Sequence, residues 1–388
     1  MDRSLGLYPT MMISIGAMIG SGIFVLPALG YKKAGPAVIV AYVLAALVVL
    51  PAALSKAEMA TAMPESGGTY LYIDRALGPL FGTIAGIGAW FSLVFKSSFA
   101  LVGLGAYLLL FAPLSQGAVV YVALGLGVLV VALNVSGTKL SGQVQAIIVT
   151  LVVGSLVAYT VNAGVVAESA RFSPFVTGGE IGVITAAAFV FVSYAGVTKV
   201  ASVAEEVKHP GRNLPRAILG SMAIMTVLYV AVVGAVVGLS DPDILKTGGP
   251  GGTASLTPMA DGAGALLGGV GVLFISIVAV VALTSMANAG VLSSSRFPLA
   301  MSRDDLLPPG LSRIDARFRT PRNAVLLTGA VLLLLIAFVP VIELAKLASA
   351  FQILVFSVIN AALVAFREAD IPSYTPEFEA PGYPYVQV

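Results

Sequence analysis

The sequence predicts an all-α polytopic membrane protein with ten transmembrane helices. Three observations lead there. Of 388 residues, 58% are apolar and 10% charged, and mean hydropathy is +0.99. Ten stretches are each long and apolar enough to cross a hydrocarbon layer about 30 Å thick. Lys and Arg are distributed unequally between the two sets of segments that join those stretches. A soluble domain carries about 25% charged residues; here 21 basic and 19 acidic side chains would have to coat 39.6 kDa. That excludes a cytosolic enzyme and a nucleic-acid binder acting through a basic surface. Period-2 alternation is missing, which argues against a β-barrel. The chain has no cysteine, hence no disulfide framework, Cys-ligated metal or thiol nucleophile. Its single histidine, His209, makes no metal cluster and no Ser-His triad.

The stretches follow in order. The first, 8–31, contains Gly16, Gly20 and Gly22, then Pro27. Each glycine weakens a helix by about 1 kcal/mol relative to alanine, so an interrupted span is expected. The second, 36–57, is apolar until Lys56 and Glu58. The third, 80–111, carries Lys96 near its middle, the one charge placed in mid-membrane. The fourth and fifth, 117–135 and 143–163, have no charged residue. The sixth, 181–204, runs through Phe191-Val192-Ser193-Tyr194-Ala195-Gly196-Val197-Thr198 and turns polar early, at Lys199. A second interruption is expected there. The last four are 215–239, 266–295, 323–341 and 346–366. With a cytoplasmic N-terminus, fifteen Lys and Arg face inward and five (Lys32, Lys33, Arg171, Lys246, Lys346) face outward, which fits the positive-inside rule. The tail 368–388 is polar and holds Pro372, Pro376, Pro381 and Pro384; it reads as a linker toward two further helices.

The interrupted spans are the first of each set of five. Five is odd, so residues 1–165 and 166–367 would enter the membrane from opposite sides, as a 5+5 inverted repeat. Matched breaks in inverted halves point to a transporter site near the bilayer midplane. A break frees backbone groups that need partners in a dry medium. The N-terminus of a half-helix attracts a carboxylate, and freed carbonyls attract an ammonium or Na⁺. Glycines that merely allow close helix packing are the plainer alternative.

Four motifs give this chain a family resemblance: Gly20-Ser21-Gly22-Ile23-Phe24; Met63-Pro64-Glu65-Ser66-Gly67-Gly68-Thr69-Tyr70 with Ala76-Leu77-Gly78; Glu205-Glu206-Val207-Lys208-His209-Pro210-Gly211-Arg212-Asn213-Leu214-Pro215; and Ser294-Ser295-Arg296 with Met301-Ser302-Arg303-Asp304-Asp305-Leu306-Leu307-Pro308. In this order they resemble the amino acid–polyamine–organocation (APC) superfamily, whose members have the leucine-transporter fold. The resemblance spans residues 5–385. It departs from the family in ending where an eleventh span would begin. It also lacks the lysine that some members carry in span 5.

The resemblance implies a substrate carboxylate at the backbone N–H groups of Ser21, Gly22 and Ile23, beside Ile19 and Gly20. It implies an ammonium at the carbonyls of Met18, Val192, Ser193 and Ala195, near Gly196. Tyr194, Asn288, Gly290, Phe351 and Ser357 are candidates to face the substrate side chain. Packing is the alternative for the aromatic ones. No Asp or Glu lies in the centre of a span, so a neutral amino acid is favoured over arginine or a polyamine. The carbonyls of Gly16 and Ile19 with the hydroxyls of Thr284 and Ser285 are a possible Na⁺ site. Those hydroxyls could equally bond within their own helix.

Lys96 is read as a coupling residue, through proton exchange or as a fixed charge replacing a cation. A lysine hydrogen-bonded to broken-helix carbonyls is the structural alternative. Glu58, Glu65, Glu205 and Glu206 read as salt-bridge or gate residues, Arg296 as an anchor, and His209 as a solvated loop residue. The expected protein is a cation-coupled permease for small or branched neutral amino acids in a prokaryotic plasma membrane, with Na⁺ as the possible ion and no other cofactor. An exchanger, a cationic or polyamine carrier, and a non-transporting sensor or scaffold are the alternatives. No nucleic-acid partner is expected, and the sequence leaves the oligomeric state open.

Overall fold

The computed structural model describes residues 3, 5–63, 68–112, 115–137, 142–315, 317–318, 320–369 and 374–387. It is helical throughout, with no β-strand among the described residues. A parallel backbone bridge joins Leu5 to Val207, so the N-terminal arm is tied to the segment just before Pro210.

The first expected stretch is three helices, α1 (Leu7–Met18), α2 (Ser21–Phe24) and α3 (Leu26–Ala34). Gly35, at φ 64°, turns the chain into α4 (Val38–Ala62). The amphipathic α5 (Gly68–Leu77) leads through Gly78, at φ 84°, into α6 (Pro79–Leu109). Helices α7 (Val119–Val135) and α8 (Gly142–Val166) complete the first half. The second opens with α9 (Gly179–Val190), which tightens into a 3₁₀ segment, Phe191–Glu206. Then come α10 (Pro210–Leu239), α11 (Pro242–Thr247), α12 (Pro258–Ser294), α13 (Arg296–Arg303), α14 (Arg322–Phe338) and α15 (Val341–Glu368). Proline occupies the first turn of α3, α6, α10, α11 and α12. It fits there because an N–H in the first turn has no intrahelical partner to lose. Leu267 and Gly268 leave helical geometry inside α12, which separates a short outer piece from the long apolar one.

All ten expected stretches are helical. Among the described residues, seven helices are long and apolar enough to cross a membrane: Leu26–Ala62, Pro79–Leu109, Gln145–Val166, Gly179–Ala201, Pro210–Leu239, Pro258–Arg303 and Val341–Glu368. Three apolar ones are shorter, Leu7–Met18, Val119–Val135 and Arg322–Phe338. The first is short because its span is interrupted. The other two have 17 residues each, or about 25 Å of helix at 1.5 Å per residue.

Helix α6 runs between α12 and α15, and α4 packs along α10; α1 lies against α8, α10 and the 3₁₀ segment. Leu151, Val161, Val227 and Val270 are among the large apolar side chains left on the outside. An apolar outer face of this kind suits lipid contact.

Glu58 is fully buried at the end of α4. Arg367 grips it bidentately, at 2.8 and 2.7 Å. The tail, expected as a linker, folds back onto this pair. Ala380 N–H donates to Glu58 at 2.6 Å, Tyr374 Oη donates at 3.2 Å, and the Tyr374 ring stacks on Phe366. Burial and the adjacent Glu58 carboxylate push the Tyr374 hydroxyl's pKa up. Breaking a buried ion pair from one side costs about 3–5 kcal/mol. Arg367 is partly exposed, so Glu58→Ala is expected to destabilise the fold by about 3 kcal/mol. Thermal unfolding in detergent checks this; an unchanged midpoint would mean the pair holds nothing.

Candidate functional site

Two breaks in regular α-helix meet inside the bundle; the second, expected as an interruption, is a change from α9 to 3₁₀ geometry at Phe191 that keeps helical dihedrals. The first lies at Ile19 (φ −68°, ψ 129°) and Gly20 (φ 157°, ψ −134°), between α1 and α2. Glycine suits position 20 because side chains rarely adopt its φ of 157°, and the Met286 thioether of α12 occupies the space beside it. At the second break, Ser349 of α15 bridges the join between α9 and the 3₁₀ segment. Its Oγ donates to Phe189 O at 2.9 Å and accepts from Val192 N–H at 3.2 Å. The backbones then touch. A Cβ on Gly196 would overlap the peptide between Ala17 and Met18, and one on Gly22 would sit 2.7 Å from Ser193 Oγ.

The ends of α1 and α2 leave carbonyls without helical partners. Four side chains reach five of the carbonyls in this region. Lys96 Nζ of α6 donates to Ala17 O at 3.2 Å. Tyr229 Oη of α10 lies 2.7 Å from Met18 O and 3.1 Å from Ser193 O, linking the two breaks. Tyr42 Oη donates to Gly22 O at 2.6 Å and Tyr107 Oη to Phe24 O at 2.9 Å. At the opposite pole, Ser21 N–H donates to Met286 Sδ at 3.3 Å. The Ile23 N–H goes to Gly20 O at 3.0 Å. Ser193 Oγ is fully buried and has no hydrogen-bond partner.

The residues expected around the substrate are therefore gathered in part. Met18, Ile19, Gly20, Ser21, Gly22, Ile23, Val192, Ser193, Tyr194, Ala195 and Gly196 lie at the two breaks. Tyr194 donates to Tyr42 O at 3.1 Å and sits edge-on to Tyr229. Other candidates are engaged elsewhere. Asn288 Oδ1 accepts from Asn134 of α7 at 2.8 Å. Gly290 is where α12 crosses Ser97 of α6. Phe351 stacks with Phe91 and Phe95, and Ser357 is exposed and bonded to Ile353 O of its own helix.

The possible Na⁺ cage fits poorly. Thr284 is exposed on α12 and Ser285 half-buried, while Met286 is the buried member of that turn. Gly16 packs against Val149 of α8. A hard cation needs several converging oxygens, and an exposed Thr284 does not supply one. His209, at φ 47°, is the N-cap of α10. Pro64, Glu65, Ser66 and Gly67 of the second motif lie outside the described residues.

Sequence reasoning passed over Met286, Tyr42, Tyr107, Tyr229 and Ser349. The tyrosines did leave a signal. A phenol inside an apolar helix needs a hydrogen-bond acceptor, and among buried groups a freed carbonyl is one.

Comparison with known proteins gives the same picture from a different direction. The amino acid permease family model matches residues 5–375. A branched-chain amino acid permease, BcaP, of Bacillus subtilis is 32% identical, with 100% of this chain and 85% of the relative covered. A protein of the same name from Lactococcus lactis is 31% identical over 96% and 84% of the two chains. A methylthioribose transporter of B. subtilis is 30% identical over 100% and 86%. These relatives are named as permeases or transporters, not as enzymes. A match along nearly the whole length, on a bundle of apolar helices, makes this chain a multi-pass membrane protein of the amino acid permease family in the APC superfamily.

Proposed function

We propose that this protein is a secondary transporter of small or branched neutral amino acids, working by alternating access with substrate held between the two breaks. One observation carries the reading: the breaks are in contact, Gly196 on Ala17 and Gly22 on Ser193, so an N–H pole and a carbonyl pole share one small space. A zwitterion is the ligand that uses both. Neutral side chains are favoured because the buried carboxylate Glu58 is already paired with Arg367 at the end of its helix. The branched-chain permeases among the relatives support the same substrate class.

Helices in equal positions of the two halves pack on each other: α1 on the 3₁₀ segment, α4 on α10, α6 on α12 and α7 on α14. That pattern supports a 5+5 inverted repeat of residues 1–165 and 166–367, in which one bundle of spans rocks against the other, with the N-terminus in the cytoplasm of a prokaryotic cell. For the coupling ion we favour the proton over Na⁺. Lys96 already sits on a freed carbonyl of α1, and the hydroxyls proposed for Na⁺ do not converge.

The test is uptake of labelled leucine and alanine into proteoliposomes. An inward proton gradient is expected to drive accumulation several-fold above equilibration, and a Na⁺ gradient at fixed pH to add nothing. Absence of saturable uptake or binding for leucine, isoleucine, valine and alanine would sink the reading. Acceleration by Na⁺ alone would sink the coupling part.

A further inference from the structure

We propose that Met286 and Tyr229 are self-ligands of the transport site, holding its carboxylate pole and its ammonium pole while no substrate is bound and yielding both to the arriving amino acid. The inference rests on the transporter reading above and adds how the empty site stays satisfied in a dry interior.

The carboxylate pole is the first N–H of α2. Ser21 N–H and Ser21 Oγ both lie on Met286 Sδ, at 3.3 and 3.8 Å, and the same sulfur fills the space beside Gly20. A thioether is a weak acceptor, and a carboxylate makes charge-assisted bonds roughly twice as strong as neutral ones. The exchange is therefore favourable in the direction of binding. Methionine also has three rotatable side-chain bonds, so it can withdraw without moving the helix.

The ammonium pole is built differently. Tyr229 Oη faces two carbonyls, Met18 O at 2.7 Å and Ser193 O at 3.1 Å, but a phenol has one proton. The phenol therefore bonds one of them at a time or shares its proton between them. An ammonium carries three N–H donors and serves both. Its third N–H has an acceptor at hand in Ser193 Oγ, the buried hydroxyl beside Gly22 that has no partner. The Tyr229 ring is fixed between Tyr42 and Tyr194, with centroids at 5.2 and 5.1 Å. Its hydroxyl gives way by swinging its proton off the carbonyls while the ring stays in place.

Two consequences separate self-ligands from ordinary lining residues. Removing one should tighten binding, because the empty site loses its substitute partner. The gain should also be specific to one pole. Binding is measured on the full-length protein in nanodiscs by displacement of labelled leucine. The competitors are leucine, 4-methylpentanoate (carboxylate only) and 3-methylbutylamine (amine only). Met286→Leu, which keeps the bulk and removes the acceptor, is expected to lower the Kd of leucine and of 4-methylpentanoate about tenfold, since the apparent Kd is the intrinsic Kd divided by the fraction of competent empty sites. It should leave 3-methylbutylamine unchanged. Tyr229→Phe is expected to favour leucine and the amine and leave the carboxylate unchanged. Met286→Ala replaces Met286→Leu if the leucine variant is not monodisperse. Weaker or unchanged leucine binding in both variants would overturn the proposal, as would equal gains for both single-pole analogues. If wild type binds none of the three, the transporter reading fails first. If wild type binds leucine normally and the poles do not separate, only the self-ligand inference fails.

Discussion

Lys96→Met is expected to abolish proton-driven accumulation of leucine while the protein still inserts and binds substrate. Lys96 is buried in the middle of α6, and no carboxylate is paired with it among the described residues. Its partner is Ala17 O, a carbonyl that α1 cannot use itself because the helix ends one residue later. A hydrogen bond from a charged donor contributes roughly 1.5–3 kcal/mol, or about 10- to 150-fold in an equilibrium. The bond joins α6 to the broken helix, so a change in the charge of Lys96 alters how firmly α1 is held. That is the step a coupling residue must control. In proteoliposomes with an inward proton gradient, initial uptake should fall more than tenfold. Leucine exchange at equal pH on both sides should change little. Wild-type accumulation in the variant would remove Lys96 from the coupling mechanism. Equal loss of exchange and accumulation would make it a structural tie between α6 and α1.

The site became legible in the sequence where backbone geometry alone decides the outcome. Gly20-Ser21-Gly22 announces a break because glycine suits the backbone there, and the reason proved local: Gly20 takes a φ of 157° that side chains rarely adopt, with Met286 in the space beside it. Lys96 stood out because an unpaired charge in an apolar stretch demands a partner. What stayed hidden is pairwise. Nothing near Met18 says that Tyr229, 211 positions away, will donate to it; that depends on α10 packing against α1. Thr284 and Met286 are two residues apart on one helix, about 200° around the axis. A displacement of two positions along the sequence therefore exchanged the buried sulfur for an exposed hydroxyl on the opposite face. The packing of the tail stayed hidden for a different reason. Its prolines and acids look like a linker, but Ala380 and Tyr374 complete the shell of a buried carboxylate more than 300 positions earlier.

Gly196→Ala is the second substitution expected to have a large effect, with leucine transport falling to background. Many membrane-helix glycines tolerate a methyl group because a flexible side chain opposite can move. Gly196 has no such relief: the atoms in the way are Ala17 C and O and Met18 N, which are main chain. They adjoin Met18 O, one of the two carbonyls of the ammonium pole. Overpacking a dense contact ordinarily costs about 1–3 kcal/mol. Here the strain would separate the 3₁₀ segment from α1, and with them the carbonyls of Met18 and Ser193 that one ammonium has to reach together. The control is Gly154→Ala in α8, where a Cβ meets nothing within 4 Å. It should be neutral or stabilise the helix by up to about 1 kcal/mol. Both variants are compared by leucine binding, leucine uptake and thermal unfolding. The expected pattern is wild-type behaviour for Gly154→Ala, and for Gly196→Ala a protein that still inserts but neither binds nor transports leucine. Normal uptake by Gly196→Ala would mean that close contact of the two breaks is not needed for transport. The site would then have to be sought away from the junction.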